Sequence, residues 1–81
     1  ARAYEMLDET IKQQLTDSTV TELKLIDKKF NLTVVIELAN TLKTNRSLIL
    51  LDLSINGIDT EGAQAIAEAL EKNYSLTSVL I

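Results

Sequence analysis

The sequence contains no cysteine, histidine, proline or tryptophan. Without cysteine there are no disulfides and no thiolate nucleophile, and without histidine there is no imidazole base. The two absences together remove Cys/His zinc sites. Aromatic residues are limited to Tyr4, Phe30 and Tyr74, too few to form a stacking platform for bases. Gly57 and Gly62 are the only glycines and stand too far apart for a phosphate-cradling loop. Positive charge is also scarce: eight Lys and Arg stand against twelve Asp and Glu, a net charge of −4. That balance disfavours nucleic acids and anionic membranes as partners. No apolar run approaches the ~20 residues of a membrane span, and residues 1–19 lack the apolar centre of a secretion signal. What remains is an 81-residue chain that is 46% hydrophobic and 25% charged, enough for one small globular unit or part of a larger one.

The chain repeats itself at an offset of 28 residues. Val20, Leu48 and Leu76 align, as do Leu23, Leu51 and Val79, and Leu25, Leu53 and Ile81. Further on, Leu38 aligns with Ile66, Ala39 with Ala67, Leu42 with Leu70, Asn45 with Asn73 and Ser47 with Ser75. Self-similarity at a fixed period is the mark of stacked repeats. Within each period the hydrophobic spacing changes from two to helical. The spacing predicts a strand over 21–26, a helix over 32–44, a second strand in the run 48–55, and a helix over 60–72. In the last helix Ala63, Ile66, Ala67 and Leu70 form the expected apolar stripe. Asp59 is the expected N-cap, and Asn45 and Asn73 stand where left-handed residues would end the helices. Strands joined through a helix in this way lie parallel.

The second unit, Leu48-x-x-Leu51-x-Leu53-x-x-Asn56-x-Ile58 followed by Gly62 to Leu70, resembles a leucine-rich repeat of the 28-residue kind found in ribonuclease inhibitor and NOD-like receptors. The resemblance covers residues 20–81. It implies an α/β fold: a right-handed β-α solenoid with a short parallel sheet on the concave side and helices on the convex side. It also implies that Asn56 is a ladder residue whose side-chain amide satisfies backbone groups in the turn after the strand. The first unit departs from the pattern, with Lys28 in place of Asn56 and Val34 in place of Gly62. A buried unpaired lysine is costly, so the turn at Lys28 is expected to open and turn its ammonium to water.

Residues 1–19 lie outside the period. Tyr4, Leu7, Ile11 and Leu15 are spaced along one face of a helix expected over 2–15, which would cap the N-terminal end of the core. The expected organisation is therefore a capping helix and lead-in over 1–19, an irregular repeat over 20–47, a regular repeat over 48–75, and the strand of a third repeat over 76–81. The lead-in from Thr16 to Leu25 is also similar to the entry into the repeat domain of tropomodulins. An apolar strand at 76–81 would be an exposed parallel edge. This points to a piece of a longer array or to edge-to-edge self-association through 76–81.

In such an array, partners meet the outward side chains of the concave strands. These are Glu22, Lys24 and Ile26, then Leu50, Asp52 and Ser54, then Ser78 and Leu80, with Ile49 and Ile55 beside them. Lys24 and Asp52 share a column and are expected to pair. Ile26, Leu50 and Leu80 are apolar where polar residues would be free to stand, which suggests a contact surface. Charge is segregated: residues 20–47 hold five basic and three acidic groups, and residues 48–75 one basic and five acidic. The basic pairs Lys28/Lys29 and Lys43/Arg46 fall at opposite edges of their unit, so they form no single patch for nucleic acid.

Adjacent carboxylates such as Asp8/Glu9 diverge around a helix axis, and nothing in the pattern builds a water-excluding pocket. No catalytic residue, metal site or cofactor is expected. The sequons at Asn31, Asn45 and Asn73 are explained by caps and turns rather than glycans. The expected function is a non-catalytic scaffold that binds a protein partner on the concave face. The tropomodulin resemblance implies actin-filament capping as an alternative, and a structural capping module of a larger regulatory, sensor or effector protein is a third. The lack of cysteine favours the cytoplasm, with a secreted bacterial effector as the other setting.

Overall fold

The structure, a computed structural model, describes residues 7–81. Six short elements alternate along the chain: α1 (Glu9–Thr16), β1 (Glu22–Lys24), α2 (Leu32–Leu42), β2 (Leu50–Asp52), α3 (Thr60–Lys72) and β3 (Ser78–Leu80). Each helix begins where a short polar side chain replaces an unmade intrahelical bond. Asp8 accepts the Ile11 N–H at 2.9 Å, Asn31 that of Val34 at 2.9 Å, and Asp59 that of Gly62 at 2.8 Å.

The strands form one parallel sheet in the order β1-β2-β3. Glu22, Leu50 and Ser78 are laterally paired, then Leu23, Leu51 and Val79, then Lys24, Asp52 and Leu80. The 28-residue offset read from the sequence is thus a physical register. Alternation along each strand sends Leu23 and Leu51 inward and their neighbours outward.

The inward leucines meet the apolar stripes of the helices. Leu38, Leu42, Leu48, Leu51, Leu53 and Ile66 are essentially inaccessible to water. Burying a side chain of this size contributes about 1.5–3 kcal/mol. Leu7, Ile11 and Leu15 join the same cluster from the N-terminal side. Glu37 ties that segment to α2: it accepts the Leu7 N–H at 3.0 Å and stands 3.7 Å from the Lys12 ammonium.

Several expectations are corrected. Of the helix expected over 2–15, the described residues hold Glu9–Thr16, with Asp8 capping it in extended backbone and Leu7 outside it; residues 2–6, Tyr4 among them, lie outside the described residues. The strands cover three residues each, and α2 ends at Leu42. The buried face of α3 is Gly62, Ile66 and Ala69, with Leu70 half-buried and Ala67 exposed. Ala39, one period earlier, is buried because α3 covers it.

Asn45 and Asn73 do not adopt left-handed backbone: Asn73 has φ −88° and ψ 135°, and among the described residues the non-glycine positions with positive φ are Asp27, Lys29 and Ile55. The turn at Lys28 does not open. Asp27 and Lys29 (φ 53° and 56°) repeat the backbone path of Ile55 and Gly57 (φ 59° and 62°), and the Lys28 side chain is simply exposed.

Candidate interaction face

The outward side of the sheet is a small grid. One row holds Glu22, Leu50 and Ser78, the next Lys24, Asp52 and Leu80. Ile26 and Ser54 follow at the strand exits. Ile26 is 40% exposed and Leu80 47%, while Leu50, Asp52 and Ser54 are half-buried and Glu22, Lys24 and Ser78 exposed. Ile49 (44%) and Ile55 (72%) stand beside the grid. Ile26, Leu50 and Leu80 share a side of the sheet, but a polar or charged neighbour sits beside each one across the ladder. The face is a mosaic rather than a single apolar patch.

Lys24 and Asp52 are direct ladder neighbours, yet no ion pair forms between them. The Asp52 carboxylate turns along its own strand, accepting the Ser54 hydroxyl at 2.6 Å and the Ser54 N–H at 3.0 Å. The two Ser54 bonds hold its acid below the ordinary 3.8; slight desolvation opposes them, and the Lys24 charge adds a smaller lowering. The reason is reach: the Ser54 donors are two residues away with no long side chain to order.

Asn56 underlies the exit of this face. Its Oδ1 accepts the Lys28 N–H at 2.8 Å, and its Nδ2 donates to the carbonyls of Leu25 (2.7 Å), Leu53 (2.9 Å) and Ser54 (3.3 Å). One amide therefore stitches two successive turns and, being buried, leaves no polar atom orphaned.

A second row of amides, unforeseen as such, crosses the opposite end of the sheet. Asn45 Nδ2 donates to the Leu15 carbonyl at 2.8 Å, while its Oδ1 accepts the Ser47 and Leu48 N–H groups. Asn73 repeats the pattern one period on. It donates to the carbonyls of Leu42 (2.8 Å) and Asn45 (2.9 Å) and accepts from Ser75 and Leu76. The recurrence of Asn-x-Ser was the available signal, obscured by the familiarity of asparagine as a helix terminator. Arg46 lies 4.5 Å over the Tyr74 ring, one more contact between equivalent positions.

Away from the strand face, an open groove of about 270 Å³ runs between α2 and α3, lined by Ile36, Asn40, Lys43, Glu61, Gln64 and Glu68 among others. A smaller one of about 200 Å³ lies near Phe30 and Gly57. Among the described residues no group of three or more acidic side chains is placed to hold a metal ion, and no helix is long and apolar enough to cross a membrane.

Comparison with known proteins finds a partial match. Over 53 residues, 65% of this chain, the sequence is 39% identical to the NACHT, LRR and PYD domains-containing protein 14 of Mus musculus. The match spans 5% of that protein's length. No protein-family model matches the chain, and no solved structure does. The likeness is to a protein that contains leucine-rich repeats, and the three helices and short parallel sheet are compatible with such a fold.

Proposed function

We propose that this chain is a segment of a leucine-rich-repeat solenoid of the ribonuclease-inhibitor-like kind, serving as a non-catalytic scaffold for a protein partner in the cytoplasm. Residues 1–19 act as the N-terminal cap and lead-in, 20–47 and 48–75 as successive repeats, and 76–81 as the strand of a third. The partner lies across the concave strand face and touches Glu22, Lys24, Ile26, Leu50, Asp52, Ser54, Ser78 and Leu80.

One observation carries this reading: Ile26, Leu50 and Leu80 share the side of the sheet that the helices leave open, while the core is already complete behind it. Ile26 and Leu80 stay exposed there and Leu50 is only half-buried, and contact with another surface gives them a role. Interleaved Lys24 and Asp52 add polar specificity to such a surface. The partial similarity to a protein that contains leucine-rich repeats agrees with an interaction role.

The test compares proteins retained by the immobilised chain, by its Leu50→Lys variant and by an Ile36→Lys variant on the helix side. Retention lost with Leu50→Lys and kept with Ile36→Lys supports the strand face. Equal retention by all three, with circular dichroism unchanged, would overturn it.

A further inference from the structure

Four of the chain's asparagines precede a branched or bulky residue, in Asn31-Leu32, Asn40-Thr41, Asn45-Arg46 and Asn73-Tyr74, and one, Asn56, precedes glycine. The difference is chemical. The backbone nitrogen that follows an asparagine can attack its side-chain amide, and a side chain on the attacking residue hinders the approach. Gly57 offers no hindrance. It is exposed, at φ 62°, and a Cβ placed there would meet nothing within 4 Å, so solvent lies against this peptide unit.

The Asn56 carboxamide beside it is buried and pinned at both ends. Its Oδ1 accepts the Lys28 N–H at 2.8 Å, and its Nδ2 donates to the Leu25 and Leu53 carbonyls at 2.7 and 2.9 Å. Bonding Cγ to the Gly57 nitrogen requires the amide plane to turn, and it cannot turn without giving these bonds up. Lys28 and Leu25 belong to the preceding turn, 28 and 31 residues back. The lock on the amide is therefore the contact between two stacked turns, and local opening of that contact releases it.

We propose that Asn56-Gly57 is a self-modification site that acts as a one-way latch, silent while the two turns are stacked and converted to aspartyl or isoaspartyl once they part. In the opened turn the Gly57 nitrogen gives its proton to solvent and bonds to Asn56 Cγ. The Cγ–Nδ2 bond breaks, and Nδ2 leaves as ammonia after taking up a proton. Water then opens the cyclic imide. Addition at Cγ returns the normal main chain with an aspartyl side chain. Addition at the backbone carbonyl leaves Gly57 joined through Cγ, with a main chain one methylene longer. Neither product carries an Nδ2 donor, so the Leu25 and Leu53 carbonyls lose their partner and the turns cannot restack as before. The inference concerns the chemistry of this turn and holds whether or not the strand face binds a partner.

The test incubates the whole chain at mildly alkaline pH, which favours loss of the Gly57 proton, in buffer and in denaturing urea. Conversion of amide to acid at each asparagine is followed by peptide mapping and mass spectrometry. In urea, Asn56 is expected to be largely converted before Asn31, Asn40, Asn45 or Asn73 shows loss, and Gly57→Ala is expected to bring it to their pace. Folding plays no part in that comparison. In buffer, reclosing outpaces the chemistry, so the rate reads the population of the opened turn, and conversion at Asn56 is expected to slow at least about tenfold. Chains converted in urea and returned to buffer are expected to unfold at lower urea concentration than chains held in urea at mildly acidic pH, where the amide survives. Equal rates in buffer and urea, an Asn56 that keeps pace with the other four in urea, or a converted chain with an unchanged unfolding midpoint would each overturn the proposal.

Discussion

At the scale of single residues, the strongest structural commitments are polar side chains rather than leucines. Asn56 serves backbone groups from two successive turns at once. Asn56→Ala is expected to leave the Lys28 N–H and the Leu25 and Leu53 carbonyls unpaired, at a cost of at least ~2 kcal/mol by denaturant titration. Ile55 presents the opposite case. It is a β-branched residue at φ 59° and is largely exposed, so it bears backbone strain without burying its side chain. Asp27 holds the same conformation one turn earlier, and short polar residues tolerate it better. Ile55→Asn is therefore expected to stabilise the protein by about 1 kcal/mol, raising its thermal midpoint by about 4–8 °C. Asp52 links stability to pH. Its folded-state acid is lowered below 3.8, so its stabilising contribution is present above that value and is lost as pH falls through the lowered one. An NMR titration should show the Asp52 midpoint moving upward in Ser54→Ala; an unmoved midpoint would mean the Ser54 hydroxyl is not the main cause.

At the scale of elements, close packing between α3 and its surroundings depends on Gly62. A Cβ there would lie 2.9 Å from Ile58 Cγ2 and 3.3 Å from Val35 Cγ1. Valine occupies the equivalent position in α2 without difficulty, since Val34 is simply part of the core. Gly62→Val is nonetheless expected to cost about 1–3 kcal/mol by overpacking, and unchanged stability would show that Ile58 swings aside freely. The elements themselves were largely legible in the sequence. The switch from period-two to helical spacing located β1, α2, β2 and α3, and Asp59 marked the start of α3 correctly. The errors have physical causes. Leu7 falls on the apolar spacing of the helix that follows, but spacing alone does not reveal that Asp8 turns the chain extended and caps at that point. Ala67 matches Ala39 in sequence and differs in burial, because burial depends on what lies alongside and not on the residue. Lys28 differs from Asn56 in sequence yet keeps the same turn, because Asn56 reaches back from the next unit to bond its backbone. Likewise, Lys24 and Asp52 are ladder neighbours as expected, but rows of the sheet do not dictate where a carboxylate finds its nearest donor.

At the scale of the whole molecule, the described residues share one core from Leu7 to Ala69, although each unit touches chiefly its neighbours. A small stack of this kind has total stability of about 5–15 kcal/mol, so its ends and middle are expected to unfold together. Leu15 tests that coupling. It is 4% exposed, its carbonyl accepts the Asn45 amide, and it lies two strands away from β3. Leu15→Ala removes buried volume from the α1 end at a cost of about 2–5 kcal/mol. If the molecule is one cooperative unit, the Leu53 amide, which donates to the Leu80 carbonyl at the far side of the sheet, loses hydrogen-exchange protection with it. The expected loss is about thirtyfold or more, the equivalent of the lower bound of that cost. If only amides within α1 exchange faster while Leu53 is unmoved, α1 is an appendage that frays alone. In that case the stability of the sheet resides in the two asparagine-bearing units, and Asn45 loses nothing essential when the Leu15 carbonyl departs.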